Sequence, residues 1–117
     1  MGTKKFIMTK NKIKRLRQEF KNYITTNFPN IKRITVDTYV RDAFYVYRHE
    51  QELNINFFDL FSSIDTIHKF RNQLFEQQKT IEVQNPNSST CAYMRGLIYL
   101  YNFFDEKYNG VENFINS

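Results

Sequence analysis

Cysteine is nearly absent from this chain, with Cys91 the single example in 117 residues. It has no partner for an intramolecular disulfide and no companion thiolate for a zinc site, which excludes a secreted disulfide scaffold and a zinc finger. A reducing cytosol suits such a composition, and a cytoplasmic location is expected. The two prolines and three glycines are too few for a protein of many short strands and tight turns. Long apolar runs are missing as well. Met1-Gly2-Thr3-Lys4-Lys5-Phe6-Ile7-Met8 has only three consecutive apolar residues, too few for a signal peptide, and no stretch approaches the roughly 18 apolar residues of a membrane span. Phe6 stands where a myristoylation motif needs Ser or Thr. No membrane partner and no export are expected.

Acidic residues are scarce at one end. Residues 1 to 33 hold ten Lys and Arg against the single acid Glu19, so a net charge of +5 divides into +9 there and −4 in the remainder. Solubility is served by interspersed signs, whereas this asymmetry points to a polyanionic partner met by one end of the molecule. Nucleic acid is the commonest such partner.

At this length one core is available, and the apolar spacing assigns it to helices. Residues 9 to 27 place Ile13, Leu16, Phe20, Tyr23 and Ile24 on one helical stripe. Lys10, Lys14, Arg17 and Lys21 fall in a narrower arc beside it, where four like charges with no acid among them repel one another. Pro29 ends that helix, and 27 to 33 reads as a basic loop containing Lys32 and Arg33. A second helix is expected from Thr35, as its cap, to His49, with Val36, Tyr39, Val40, Ala43 and Tyr47 inward and Thr38, Arg41, Tyr45 and Arg48 outward. Its β-branched residues also allow a strand, but the 3.6 period fits better. Phe57 to Phe61 reads as a helical turn. Ser62 with Asp65 reads as a capping box for a third helix burying Ile64, Ile67, Phe70, Leu74 and Phe75. Residues 79 to 88 read as a loop around Pro86, and 89 to 107 as a last main helix, apolar over most of its circumference and hence the most buried. Gly96 inside it costs about 1 kcal/mol of propensity, which makes sense where another helix crosses closely. The expected organisation is a flexible N-terminus at 1 to 8, an all-α bundle of four to five helices at 9 to 108, and a tail, short further element or linker start at 109 to 117.

No phosphate-binding glycine loop, paired-histidine metal motif or nucleophile elbow occurs. His49, Glu50 and Glu52 do not converge on one helix face, so no metal is assigned. His68 and Arg71 have the His-x-x-Arg spacing of enzymes that cleave DNA through a tyrosine, but no second arginine motif or lysine hairpin accompanies them, and the pair reads as flanking a buried stripe. No catalysis, cofactor or small-molecule substrate is expected. Exposed aromatics beside cations can stack on bases, and Tyr45, on the face of Arg41 and Arg48, is the candidate.

Thr35-Val36-Asp37-Thr38-Tyr39-Val40-Arg41-Asp42 resembles the Thr-Ile-x-x-Tyr-x-x-Asp segment opening the second helix of the core-binding (SAM-like) domain of tyrosine recombinases, the phage-integrase family. Phe20 to Ile24 is similar to that domain's first-helix Phe-x-x-Tyr-Leu stretch, Asp59 to Leu74 to its third helix, and Ser88 to Phe104 to its Ser/Thr-led fourth. The order of these motifs across residues 13 to 107 carries the resemblance. Similar helical patterns also precede nuclease domains of restriction-type proteins. The family's domain is a four- or five-helix bundle that clamps one side of duplex DNA while a separate catalytic domain closes the other. The resemblance implies groove contacts from Thr38, Arg41, Tyr45, Ser89 and Arg95 on the second and fourth helices. Phosphate contacts would come from Lys10, Lys14, Arg17, Lys21, Lys32 and Arg33. The catalytic domain has no counterpart here, which suits either a recombinase's N-terminal part or a free-standing relative. The alternative partner is a protein: a small phage or mobile-element protein could use the same basic face on an acidic host factor or nucleic-acid enzyme.

Overall fold

A computed structural model describes residues 8 to 117. Thr9 starts the first helix by accepting a hydrogen bond from the Lys12 amide at 3.2 Å, and α1 runs Lys10–Asn27 until Pro29 forbids another turn. The expected stripe faces inward: Leu16, Phe20, Tyr23 and Ile24 are buried and Ile13 partly so. Met8 also packs against the core, while the rest of the segment expected to be flexible lies outside the described residues.

The second helix, α2, spans Arg33–Arg48 with Lys32 as an N-cap that offers no side-chain bond. The proposed Thr35 cap therefore falls inside the first turn, where the Thr35 amide bonds the Lys32 carbonyl at 2.9 Å. The 3.6 period decided correctly against a strand. Glu50 accepts from the Phe57 amide at 3.0 Å and so seats the 3₁₀ helix Phe57–Ser62, whose Phe57, Phe58, Leu60 and Phe61 are all buried.

Ser63, not Ser62, caps α3 at Ile64–Thr80, accepting from the Thr66 amide at 3.1 Å. Ile67, Phe70 and Leu74 face inward as expected and are joined by Gln78, whereas Ile64 in the first turn is 37 % exposed and Phe75 is only partly buried. Glu82 takes a left-handed conformation, φ 59°, in the turn that follows α3.

The fourth helix, α4, starts three residues before the expected Ser89, at Pro86, because Asn85 caps it by accepting from the Ser88 amide at 3.1 Å and proline is well suited to the first helical position. It runs Pro86–Tyr108 and packs on α1, α2, α3 and the last helix, the central position its apolar circumference predicts. The Gly96 crossing is real: a β-carbon there would sit 2.7 Å from the Ala43 nitrogen and 2.9 Å from the Tyr39 oxygen of α2.

Asn109 in the left-handed region and Gly110 at φ 124° turn the chain into α5, Val111–Ile115. This is the short further element among the readings open for 109 to 117, and it packs on the bundle. Phe114 is fully buried, its ring 5.4 Å from Phe104 and 5.1 Å from Tyr108, and Lys12 donates to the Ile115 and Ser117 carbonyls at 2.7 and 3.0 Å. The domain thus extends through 109 to 117. The protein is an all-α bundle of five α-helices and one 3₁₀ helix, and no strand occurs among the described residues. No helix of the described residues is long and apolar enough to cross a membrane.

Candidate nucleic-acid interface

The charges of α1 divide by flank. On one side Lys12 holds the end of α5, while Arg15 pairs with Glu19 at 3.1 Å and donates to the Ser117 hydroxyl at 2.8 Å. On the other, the arc of Lys10, Lys14, Arg17 and Lys21 borders α2, where Lys14, Arg17 and Lys21 form one wall of a shallow groove and Asp37 with Val40 the other. The Arg17 guanidinium lies 4.9 Å from the Phe44 ring centre, closing the edge of the core while remaining exposed. Lys21 pairs with Asp37 at 3.0 Å. Lys10, Lys14 and Arg17 form no ion pair among the described residues.

On α2, Asp37, Arg41 and Arg48 lie within about 40° of one another at 100° per residue, and all three are exposed. Arg33 stands one turn before Asp37, and it and Lys32 are exposed at that end. The outer face of α2 therefore continues the basic arc of α1. Arg41 lies 3.8 Å from Asp42, which points the other way, towards α4, and is only 6 % exposed. Burial holds the Asp42 carboxyl above its ordinary range, against the opposing pull of Arg41 and Arg95. The folded protein then keeps that proton longer than the unfolded chain does. Stability from this group accordingly declines as pH rises through the folded value. Asp42→Asn is expected to flatten that part of the profile in urea unfolding followed from acid to neutral pH; parallel profiles would sink the assignment.

Two of the anticipated contacts lie elsewhere. Tyr45 was expected on the polar face, ready to stack on a base. Its ring instead stacks on His49 at 4.0 Å and on Tyr93 at 4.1 Å, with interplanar angles of 25° and 2°. Two rings that close cannot share one face, so both faces of Tyr45 are covered. Its hydroxyl accepts from Gln78 at 3.0 Å and Gln77 at 3.2 Å. Ser89 donates to the same Gln78 at 2.8 Å, and Gln78 is fully buried. Tyr45 and Ser89 thus belong to one interior network tying α2, α3 and α4 together. The Thr38 hydroxyl donates back to the Ile34 carbonyl at 3.0 Å. Arg95 is exposed on α4, 6.0 Å over the Tyr39 ring, and so lies apart from the arc of Asp37, Arg41 and Arg48.

No protein-family model, curated protein or solved structure matches the chain. The geometry therefore stands on its own. Burial raises the Tyr93 hydroxyl pKa, with Tyr45 and Asp42 adding to the rise and Arg41 and Arg48 opposing it. Sequence reasoning gave Asp37 and Asp42 no role beyond their place in the second-helix motif, and it passed over the glutamine lock of Tyr45, Gln78 and Ser89. One signal for the lock was legible: Gln78 follows Ile67, Phe70 and Leu74 on the buried stripe of α3, and a polar residue there needs partners. His68 is exposed and Arg71 donates towards Asn87 and Cys91 at 3.4 and 3.5 Å, so the pair flanks α3 as expected. No cluster of metal-binding side chains occurs among the described residues.

Proposed function

We propose that this protein is a duplex-DNA-binding helical module that contacts the phosphate backbone through Lys10, Lys14, Arg17 and Lys21 of α1 and Arg41 and Arg48 of α2. The observation that carries the reading is that α1 and α2 pack side by side and carry these cations on their outer faces, with Lys21 of α1 paired to Asp37 of α2 across the seam while Asp42 turns away towards α4. Lys32 and Arg33 extend the face at the start of α2, while Arg95 lies apart from it on α4, over the Tyr39 ring. The motif order shared with recombinase core-binding domains supports the same ligand and the same side of α2. Tyr45 and Ser89 act in this reading by holding α2, α3 and α4 in register, and the base-edge contact falls to Thr38. The module binds without catalysing a step, in the cytoplasm.

The test is a titration against duplex and single-stranded DNA at two salt concentrations. Each phosphate neutralised contributes a slope of about −0.9 in log K against log salt, so six contacts imply a slope near −5 and roughly 10³-fold weaker duplex binding between 50 and 200 mM salt. Duplex should be preferred, because no aromatic ring of the described residues on this face is free to stack on an unpaired base. An affinity that ignores salt would remove the DNA reading and leave an acidic protein surface as the partner of these cations.

A further inference from the structure

Away from the α1–α2 face, the central helix leaves one stripe uncovered. Cys91, Met94, Arg95, Ile98, Tyr99 and Asn102 follow one another at i, i+3, i+4, i+7, i+8 and i+11 along α4, and with His68 and Arg71 of α3 they line a groove of about 350 Å³. At 1.5 Å per residue the stripe is about 16 Å long, three turns of helix. Its floor is apolar, formed by Met94, Ile98 and the Tyr99 ring, which is itself fixed by stacking on Tyr39 at 4.9 Å and by the edge of Phe28 at 5.2 Å. Its rim is cationic or neutral: Arg71 and Arg95 stand on it, and no carboxylate is among the lining residues.

The geometry points to a docking site for an acidic amphipathic helix of another protein, with apolar residues in one stripe on Met94, Ile98 and Tyr99 and Asp or Glu beside them facing Arg71 and Arg95. The length and periodicity of the floor fit the anchors of a helix laid in a groove. Charge selects the partner. A second copy of this chain meeting the same surface about a two-fold axis would set Arg71 and Arg95 against their own counterparts, which disfavours self-association. Nucleic acid gains little from a floor of methionine, isoleucine and a ring already stacked on Tyr39. This site is independent of the DNA reading.

Cys91 lies in the groove, is exposed, and is the chain's only cysteine, so its reaction with a thiol reagent reports occupancy at one position. The probes are two synthetic helical peptides of about four turns, each with a leucine stripe, one flanked by glutamates and the other by lysines. The glutamate peptide is expected to slow modification of Cys91 about tenfold at saturation and the lysine peptide not at all. Arg71→Glu, on the surface, should weaken the glutamate peptide roughly tenfold or more. Ile98→Glu should abolish its effect, with circular dichroism checking the fold, and Lys14→Glu with Arg17→Glu should leave it unchanged. Equal protection by both peptides, protection by neither, or an effect indifferent to Arg71→Glu overturns the proposal. So does protection of Cys91 that grows with protein concentration alone and accompanies a sedimenting dimer.

Discussion

Gly96→Ala is expected to lower the melting temperature by about 10 °C, a loss of roughly 2 to 3 kcal/mol. Intrinsic propensity predicts the opposite sign, since alanine in a helix interior is favoured over glycine by about 1 kcal/mol. The crossing decides the outcome. The added carbon would lie 2.7 Å from the Ala43 nitrogen, 2.9 Å from the Tyr39 oxygen and 3.2 Å from the Ala43 α-carbon. All three are backbone atoms, so no rotamer change relieves the clash and α2 must lift from α4. Lifting α2 strains the Tyr45–Tyr93 stack and the Tyr45–Gln78 hydrogen bond. Trimming the neighbour, as in Gly96→Ala with Ala43→Gly, is expected not to restore stability, because the obstructing nitrogen and oxygen remain. Thermal melts followed by far-ultraviolet circular dichroism check both variants. A melting temperature equal to or above that of the native protein would show that the helices do not approach so closely.

What made Gly96 readable in advance is that its meaning is local. A glycine amid an apolar helical run has few explanations, and close packing is the commonest. The stripe of α1 was equally legible, since Leu16, Phe20, Tyr23 and Ile24 need only the 3.6 period to be gathered. Helix starts were harder. Ser62 and Ser63 offer the same hydroxyl, and their neighbours decide which one caps. Pro86 reads in the sequence as part of a loop, whereas the Asn85 cap makes it the first residue of a helix. The tail was undervalued because Val111 and Phe114 make a pattern too short to score, and only the tertiary fit against Phe104 and Tyr108 gives α5 its place.

The interface followed the same division. The basic arc was visible because like charges at helical spacing with no acid among them form a pattern within one segment. The fate of Tyr45 was not, because its angle on α2 alone puts it with Arg41 and Arg48. That angle is near the seam with α4, and the residues that enclose the ring, Tyr93 and Gln78, come from 48 and 33 positions later. A helical wheel sees one helix; whether its polar edge meets water or a neighbour is a property of the bundle.

The division of α1 into two basic flanks allows charge and geometry to be separated. Lys14→Glu with Arg17→Glu, and Lys12→Glu with Arg15→Glu, each change the net charge from +5 to +1, so any difference between them cannot come from long-range charge. The first pair lies on the α2 side, and its reversal is expected to weaken duplex binding roughly 100-fold and to reduce the salt slope by about 2. The second pair is engaged with Ile115, Ser117 and Glu19, so its reversal should lower stability and leave the salt slope near that of the native protein. Arg17→Glu also uncovers the Phe44 ring, a packing loss that could lower binding indirectly. Lys10→Glu with Lys14→Glu answers this, since both side chains are exposed and neither covers the core. If all three double variants weakened DNA equally, the attraction would belong to the molecule's overall charge and the α1–α2 face would lose its claim.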